Sequence, residues 1–306
     1  MNKKIVMCGA HYGGKEVVEF LLKNGYEFEY FVIMNPEQAK KFNISAYYDY
    51  SDIAKNNNIP IYYPESYNLK HEDDVKFFEK NNFDLLIQGG WQRLFPDSIL
   101  NSLNIGAIGV HGSSEFLPRG RGRSPYNWSI IEGKKRFILH FFLIKPGVDD
   151  GDIFHYDQFE INEFDDINSM YQKGAILTKR AYLNFIPKAL QNELKMTPQK
   201  GKATYYIKRT PEDGKIDFQN MDVDNIYNLV RAITQPYPGA FAHIHDKNIM
   251  VWKAVIFDRY IKYPENDYGE IVEVFDNGFI VNCLSGLLFV SKYNFEGVIK
   301  VGDILT

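Results

Sequence analysis

The chain has 306 residues, 45% of them hydrophobic and 24% charged, which are the proportions of an ordinary globular protein. Its formal net charge of −4 excludes an overall positive field that would attract nucleic acid or an anionic membrane. No apolar run approaches the roughly 20 residues of a membrane-spanning helix, and the N-terminal run is too short for a signal peptide. The isolated Cys8 and Cys283 lie in apolar runs and are predicted to be buried thiols. We therefore expect a cytoplasmic protein without a membrane partner, built from one large or two medium domains.

The N-terminal half alternates short apolar runs with amphipathic helical patterns. Strands are predicted at residues 4–10, 30–34, 59–63, 84–87 and 105–111, and helices at 16–24, 52–57, 71–80 and 97–102. Such alternation is typical of an α/β protein with a Rossmann-like, doubly wound parallel sheet, in which ligands bind beyond the carboxyl ends of the strands. The first strand–helix turn holds Gly9, Gly13 and Gly14, whose spacing does not match the dinucleotide fingerprint, so a tight turn is the favoured interpretation.

The C-terminal part has a different character. A strand at 153–159 and a long helix at 166–194 precede the polar segment 196–203, which we interpret as a linker. Beyond this segment we predict a helix at 222–234 and short strands at 241–244, 249–256, 269–274, 279–282 and 287–290. The pattern predicts a larger domain at 1–200 and a small, mainly antiparallel β-barrel-like domain at 201–306.

The stretch 105–152 holds the candidate chemistry. Its first strand ends at His111, and the second apolar run, 137–144, leads into a turn with Asp149, Asp150 and Asp152. A histidine at the end of one strand and an aspartate just past the next predict an acid–base centre in a cleft. The alternatives are a structural histidine and an acidic turn that is solvated or caps a helix. A magnesium or calcium site is disfavoured, because the twelve-residue calcium-loop spacing does not follow, so we expect no metal.

Other side chains of this half allow two interpretations each. Arg119, Arg121 and Arg123 suit phosphate oxygens, but a solvent-facing basic loop accounts for them equally well. His140 and His155 are predicted to be core or surface residues with no catalytic part. Further along the chain, Arg231 is predicted to join the two domains through a salt bridge, with contact to the substrate as the alternative.

Several motifs resemble the folate-dependent formyltransferases, which include methionyl-tRNA formyltransferase and the sugar-nucleotide N-formyltransferases. They are HGS at 111–113, LPRGRGRSPYNW at 117–128, GVDDGD at 147–152, RTPEDGKIDF at 209–218 and NLVRAITQPYPGAF at 228–241. The resemblance covers most of the chain in the right order. It implies that residues 1–200 are a Rossmann-like catalytic domain and residues 201–306 a barrel-like domain. It also implies an enzyme that transfers the formyl group of N10-formyltetrahydrofolate to a primary amine.

The resemblance further implies a catalytic Asn-x-His pair on one strand and an aspartate in a later loop. His111 matches the histidine and Asp149 the aspartate, whereas Gly109 stands where the family has asparagine. The loop from His111 to Pro118 is also two residues longer than the usual family spacing. Loss of one oxyanion donor typically costs ~3 kcal/mol of barrier. Four groups could replace the asparagine as the oxyanion donor: the protonated histidine, the backbone of Gly112, the hydroxyl of Ser113 and a water molecule. An inactive site is a further alternative.

The segment DLLIQGGWQRLFP at 84–96 is similar to the family's pterin-pocket segment. On this basis the expected folate contacts are Trp91, Gln92, Arg93, Leu94, Phe95, Gly147, Val148 and Asp152. For Trp91 and Phe95, apolar packing is an equally good account. The expected substrate contacts are Arg119, Arg121, Arg123 and Arg209.

The acceptor amine is open between a nucleotide-linked amino sugar and the aminoacyl end of initiator tRNA. Residues 222–306 are rich in acidic side chains, which argues against a nucleic-acid partner. The motif RGRGRSPYNW is closer to the sugar branch, so the expected substrate is a sugar nucleotide, and that branch also suggests a homodimer as one oligomeric state. From a different class, Gly109 leaves open a sensor that binds folate or a sugar nucleotide without turnover.

Overall fold

The computed structural model describes residues 3–44 and 46–306, which form two compact units. The first contains the segments Met1–Gly122, Ile138–Phe159 and Tyr171–Tyr205. The second contains Arg123–Phe137, Glu160–Met170 and Tyr206–Thr306. The second unit thus takes up two segments of the predicted domain 1–200. The division at residue 200 stays a prediction.

A seven-stranded sheet forms the centre of the first unit, with strand order β3-β2-β1-β4-β5-β7-β8. Its strands are β1 Ile5–Gly9, β2 Tyr30–Ile33, β3 Ile61–Tyr62, β4 Leu85–Gly89, β5 Gly106–Ser113, β7 Arg136–Leu143 and β8 Ile153–Glu160. The strands β1 to β5 pair in parallel, which confirms the predicted doubly wound sheet. The strand β7 runs antiparallel to β5, a reversal that the apolar run at 137–144 does not reveal.

The central strands are buried on both faces, as expected for a parallel sheet covered by helices. Every residue of β1 is buried, and Gly9 lies opposite Gly89 of β4 in the register. The thiol of Cys8 lies in this core, and burial raises its pKa. The free thiol of Cys283 is also buried, so both predictions for the cysteines are confirmed.

The helices are α1 Lys15–Lys23, α2 Pro36–Lys41, α3 Ser51–Asn56, α4 Glu72–Asn81, α5 Asp97–Asn101, α6 Pro125–Ile131, α7 Ile167–Leu190 and α8 Val223–Ile233. The helix α6 lies in the Gly-, Pro- and Arg-rich segment, where only a loop is predicted. Pro125 at its first turn suits a helix start, because that position needs no N–H donor. Within the described residues, no helix has both the length and the hydropathy to cross a bilayer.

One carboxylate is buried against the expected pattern of α4. The apolar spacing predicts that Val75, Phe77 and Phe78 face inward, and Phe78 is fully buried while Val75 and Phe77 pack half-buried against the core. Asp74 is fully buried as well, which the spacing does not predict. Asp74 accepts hydrogen bonds from the hydroxyls of Tyr62 and Ser66 and from two backbone amides. A buried carboxylate is tolerated when its oxygens are satisfied in this way.

The second unit contains the predicted five-stranded antiparallel sheet, with order β10-β11-β14-β13-β12. Its strands are β10 Ala240–Ile244, β11 Lys247–Asp258, β12 Ile271–Phe275, β13 Gly278–Cys283 and β14 Gly286–Phe295. Residues 304–306 bridge its two edges, because Ile244 pairs with Leu305 and Glu270 with Ile304. This closure makes the sheet barrel-like, and KVGDILT at 300–306 shows no strand pattern that could predict it.

Arg231 makes structural contacts within the second unit, and a salt bridge that joins the two domains stays a prediction. It is 8% exposed on α8, and its guanidinium donates to the carbonyls of Asn162 and Asp165 and to the side chain of Asn228. Carbonyl and amide oxygens satisfy the buried cation, and burial lowers its pKa.

Candidate active site

His111 lies inside strand β5 and not at its end. The strand continues to Ser113, because the register with β7 pairs His111 with His140 and Ser113 with Ile138. The imidazole is 8% exposed. Its Nε2 is 2.9 Å from the carbonyl oxygen of Gly120, and its Nδ1 is 3.4 Å from Oδ2 of Asp149. The structure therefore brings together the histidine and the aspartate that the sequence predicts as a pair.

Both ring nitrogens of His111 face oxygens that can only accept a hydrogen bond. One is the carbonyl of Gly120 and the other is the carboxylate of Asp149. A doubly protonated ring can donate to both, whereas a neutral ring leaves one lone pair facing an oxygen. An adjacent carboxylate orients the ring and stabilises it whenever it holds a second proton. A group of this kind can take a proton from a nucleophile or give one to a developing oxyanion.

The turn from Pro146 to Asp152 fixes the position of Asp149. The Asp149 backbone is left-handed, with φ of 50°, and its Oδ2 accepts from the amide of Gly122 at 3.0 Å. A Cβ on Gly151 would lie 1.9 Å from the Leu143 carbonyl oxygen, so only glycine fits there. A Cβ on Gly147 would lie 2.1 Å from Oδ2 of Asp150. The turn that presents Asp149 thus requires glycine at 151, whereas a side chain at 147 would displace only the Asp150 carboxylate. A folate contact of Gly147 stays a prediction.

The packing of neighbouring side chains explains why residue 109 is a glycine. A Cβ on this residue would lie 2.7 Å from Cγ1 of Ile144 and 3.1 Å from Cε2 of Phe142. Apolar side chains therefore fill the space into which an asparagine would project. Ile144 is a residue that the sequence reasoning does not identify, since an apolar side chain at the end of a strand has no distinguishing pattern.

Ser113 supports the loop that follows β5. Its hydroxyl donates to the carbonyl of Arg119 at 3.0 Å and accepts from the amide of Glu115 at 3.2 Å. The neighbouring Ser114 is 5% exposed, and its hydroxyl has no hydrogen-bond partner among the described residues. In this loop, the hydroxyl of Ser114 is thus a buried polar group without a partner among the described residues. The backbone of Gly112, opposite Leu139 in the sheet register, stays a predicted oxyanion contact.

The predicted pterin segment follows β4. The rings of Trp91 and Phe95 are nearly parallel at 6.1 Å, and both belong to the core, with 3% and 2% exposure. Their packing accounts for both rings without a ligand. Leu94 is 51% exposed, Gln92 is half-buried, and the Arg93 guanidinium lies 4.7 Å from the Tyr67 ring centroid.

Four further predicted contacts already have partners. Arg119 pairs with Glu115 at 3.2 Å, and Nη2 of Arg121 donates to Oε1 of Gln199 at 2.6 Å. Asp152 accepts from Lys145 at 2.9 Å. In the second unit, Arg209 donates to the Asp213 carbonyl and lies over the Trp128 ring. Arg123 is exposed in that unit, and Val148 in the aspartate turn is 37% exposed.

The two other histidines of this half pack as predicted. His140 is fully buried and accepts from the amide of Leu117, and burial with the neighbouring His111 lowers its pKa to about 4. His155 stacks between Phe141 and Phe185, and burial lowers its pKa as well. Among the described residues, no three His, Cys, Asp or Glu side chains are grouped to hold a metal ion.

Gln199 is the other residue that the sequence reasoning misses. Its Nε2 donates to the carbonyls of Asp149 and Gly151, each at 2.8 Å. It lies in the segment interpreted as a linker. The sequence does not reveal its role, because the hydrogen bonds of one polar side chain produce no periodic pattern.

Residues 5–186 match the family model of the formyl transferases, and residues 208–302 match that of the formyl transferase C-terminal domain. The chain is 31% identical over 226 residues to the bifunctional polymyxin resistance protein ArnA of Wigglesworthia glossinidia brevipalpis, spanning 74% of this chain and 33% of that protein. It is 29% identical over 306 residues to the methionyl-tRNA formyltransferase of Ruminiclostridium cellulolyticum, covering 99% and 96% of the two chains.

A solved structure shows the same fold. The N-formyltransferase from Helicobacter canadensis, in complex with folinic acid and dTDP-3-aminofucose, superposes with a TM-score of 0.68 at 16% identity, over 95% of this chain and 100% of that one. The family model spans more than half of the chain, including His111 and Asp149. These matches confirm the resemblance drawn from the motifs: the chain belongs to the formyl transferase family.

Proposed function

We propose that the protein transfers the formyl group of N10-formyltetrahydrofolate to the primary amine of a nucleotide-linked amino sugar. The observation that carries this proposal is the approach of His111 Nδ1 to Asp149 Oδ2 at 3.4 Å, inside the range matched by the formyl transferase family. The proposal assigns catalytic roles to these two residues.

The reaction requires a proton acceptor near the attacking amine. A new bond forms between the amine nitrogen and the formyl carbon, and the bond from that carbon to N10 breaks. Tetrahydrofolate then leaves with the proton that the amine gives up. His111 moves this proton, and the carboxylate of Asp149 stabilises the charged ring.

The oxyanion needs a donor other than the side chain at position 109. Ile144 fills that space, and the atoms nearest to it are apolar. Protonated His111 and the unpartnered hydroxyl of Ser114 are the donors this stretch offers. Absence of one such donor typically lowers kcat by about 10²–10³, so slow turnover is expected.

The folate donor is assigned to the loop after β4 and the turn that holds Asp149. Ligands of parallel α/β sheets bind beyond the carboxyl ends of the strands. Leu94 and Val148 are exposed apolar side chains that a planar ring can cover. Nε1 of Trp91 and Oδ1 of Asp150 are buried without a partner in the described part of the chain, and they suit a ring edge with donors and acceptors. Gln92 and Arg93 complete the assignment.

We assign the molecule that carries the acceptor amine from the charged side chains of the protein. Arg119 and Arg121 supply cations in the first unit, and guanidinium groups bind phosphate oxygens well. Arg123 and Arg209 are assigned the same role in the second unit. A transfer RNA presents many more phosphates, and its binding depends on clusters of basic residues. Residues 222–306 carry more acidic than basic side chains. The Helicobacter canadensis protein holds a dTDP-linked amino sugar, which supports the sugar acceptor.

Methionyl-tRNA formyl transfer is the second candidate. It is favoured by the end-to-end match to the Ruminiclostridium cellulolyticum protein, because the match to ArnA covers only 74% of this chain.

The deciding experiment measures release of tetrahydrofolate from N10-formyltetrahydrofolate with three sets of acceptors. These are dTDP- and UDP-linked amino sugars, methionyl initiator tRNA, and no acceptor. The proposal expects release with at least one amino sugar, abolished in His111→Ala. Release with the tRNA alone, falling steeply with salt, would establish the second candidate. Folate binding without release for any amine would establish a sensor.

A further inference from the structure

The segment 197–205, here called the strap, lies outside both ranges that match the family models. It begins with a two-way backbone pairing, since the amides of Thr197 and Ile153 donate to each other's carbonyls at 2.7 and 2.9 Å. It ends beside the loop that contains Arg119 and Arg121. There Tyr205 begins the short strand β9, Tyr205–Tyr206, which pairs with the short strand β6, Arg121–Gly122. The strap therefore runs from the edge of the main sheet to the loop that contacts His111.

Gln199 uses its whole side-chain amide in this strap. Its two N–H donors go to the carbonyls of Asp149 and Gly151, and its oxygen accepts from Nη2 and Nε of Arg121, at 2.6 and 3.2 Å. The orientation of the amide follows from its partners, because a flip would place oxygen against two carbonyls and NH₂ against a guanidinium. Gln199 thus holds two backbone carbonyls of the turn at Asp149 and ties them to Arg121.

Thr204 holds the other partner of the histidine. Its hydroxyl accepts from the amide of Gly120 at 2.9 Å, and its carbonyl accepts from the amide of Arg121 at 3.0 Å. The carbonyl of Gly120 is the group that meets Nε2 of His111. The strap therefore contacts the chain on both sides of the imidazole.

We propose that Gln199 is a positioning residue that holds the Asp149 carboxylate against His111. The left-handed backbone of Asp149 agrees with this role, because the conformation costs a non-glycine residue some free energy that contacts of the turn can offset. The two hydrogen bonds from the Gln199 side chain to the carbonyls of Asp149 and Gly151 stabilise this backbone conformation. The inference rests on the proposed function insofar as it concerns turnover.

The size of the effect follows from the geometry. Removing an outer partner of an active group typically lowers activity by about 10- to 100-fold, and a shift of about 1 Å at a reacting group has a similar effect. Gln199→Ala is therefore expected to lower kcat by about 10- to 100-fold and to leave the KM for N10-formyltetrahydrofolate nearly unchanged.

The test compares Gln199→Ala with the control Gln219→Ala. Gln219 also donates a long-range hydrogen bond, to the Tyr268 carbonyl in the barrel-like sheet unit, so the two substitutions are chemically matched. Each is also made in an Asp149→Ala background. A positioning effect disappears there, because the carboxylate being positioned is gone. An equal loss of kcat in both backgrounds would overturn the inference. Gln199→Glu keeps the acceptor for Arg121 and loses both donors, so it should stay folded and show the same loss.

A second readout does not need turnover. The imidazole ¹⁵N shifts of His111, identified by their loss in His111→Ala, should change in Gln199→Ala and stay constant in Gln219→Ala. Unchanged shifts in Gln199→Ala would refute the positioning role even in an inactive protein. A wild-type protein that releases no tetrahydrofolate would refute the proposed function, and the shifts would still decide the role of Gln199.

Discussion

Cγ1 of Ile144 lies 2.7 Å from the point where a Cβ on Gly109 would be. A side chain at position 109 would therefore clash with Ile144 in its present position. Gly109 is therefore the residue that lets Ile144 pack at the end of β7. An asparagine at position 109 of this chain would need a different side chain, or a different placement, at position 144.

This pairing predicts the outcome of restoring asparagine. Gly109→Asn alone should lower the free energy of unfolding by about 1–3 kcal/mol, because it overpacks a buried site, and it should not raise kcat. Gly109→Asn with Ile144→Ala should recover part of that stability and exceed the kcat of Ile144→Ala alone. Urea denaturation and steady-state kinetics measure both quantities. A stable and more active Gly109→Asn single variant would show that the two side chains do not compete.

The catalytic pair gives the second prediction. His111→Ala and Asp149→Asn should each lower kcat by about 10²–10⁴, the range of general acid–base catalysis, with little change in the midpoint of thermal unfolding. Asp157→Asn on β8 is the control, because Asp157 is a half-buried aspartate outside the proposed site and accepts a hydrogen bond from the neighbouring Gln158 amide. Wild-type turnover in either site variant, measured by tetrahydrofolate release, would remove these residues from the mechanism.

The sequence predicts well those features that burial imposes on every residue of an element. The strands β1, β2, β4 and β5 are apolar because both sheet faces are covered, and the five barrel strands are separated by turn residues, so both patterns are visible in one dimension. The pairing of His111 with Asp149 is predictable for the same reason, since each residue adjoins an apolar strand.

The remaining features depend on single contacts between distant residues. Gln199 donates two hydrogen bonds to the turn at Asp149 and accepts two from Arg121, yet it lies in a segment with the composition of a linker. The burial of Asp74 depends on donors from another segment, and the direction of β7 depends on how the chain returns after α6. Hydrophobic periodicity carries no information on such contacts.

His140 gives a prediction about acid stability. Burial and His111 lower its pKa to about 4, so between the usual value of 6.5 and about 4 the unfolded chain binds a proton that the folded protein does not. The free energy of unfolding should therefore fall as the pH drops from 6.5 to 4, by about 3 kcal/mol for this residue. Denaturation across this range should show a shallower slope in His140→Gln, which keeps an acceptor for the Leu117 amide. The exposed His245→Gln serves as control and should keep the wild-type slope; equal slopes in all three proteins would contradict the assignment.

The closure of the barrel-like sheet gives the last prediction. Leu305 is 1% exposed and pairs with Ile244, and its amide donates to the Gly269 carbonyl at 2.8 Å. Leu305→Ala should lower the free energy of unfolding by about 2–5 kcal/mol, because it leaves a cavity between the two edges of the sheet. The adjacent Ile304 is 38% exposed, so Ile304→Ala removes a similar side chain from the surface and should have a much smaller effect. Urea denaturation of the two variants compares them directly. Equal losses would mean that the segment 304–306 does not close the sheet through the side chain of Leu305.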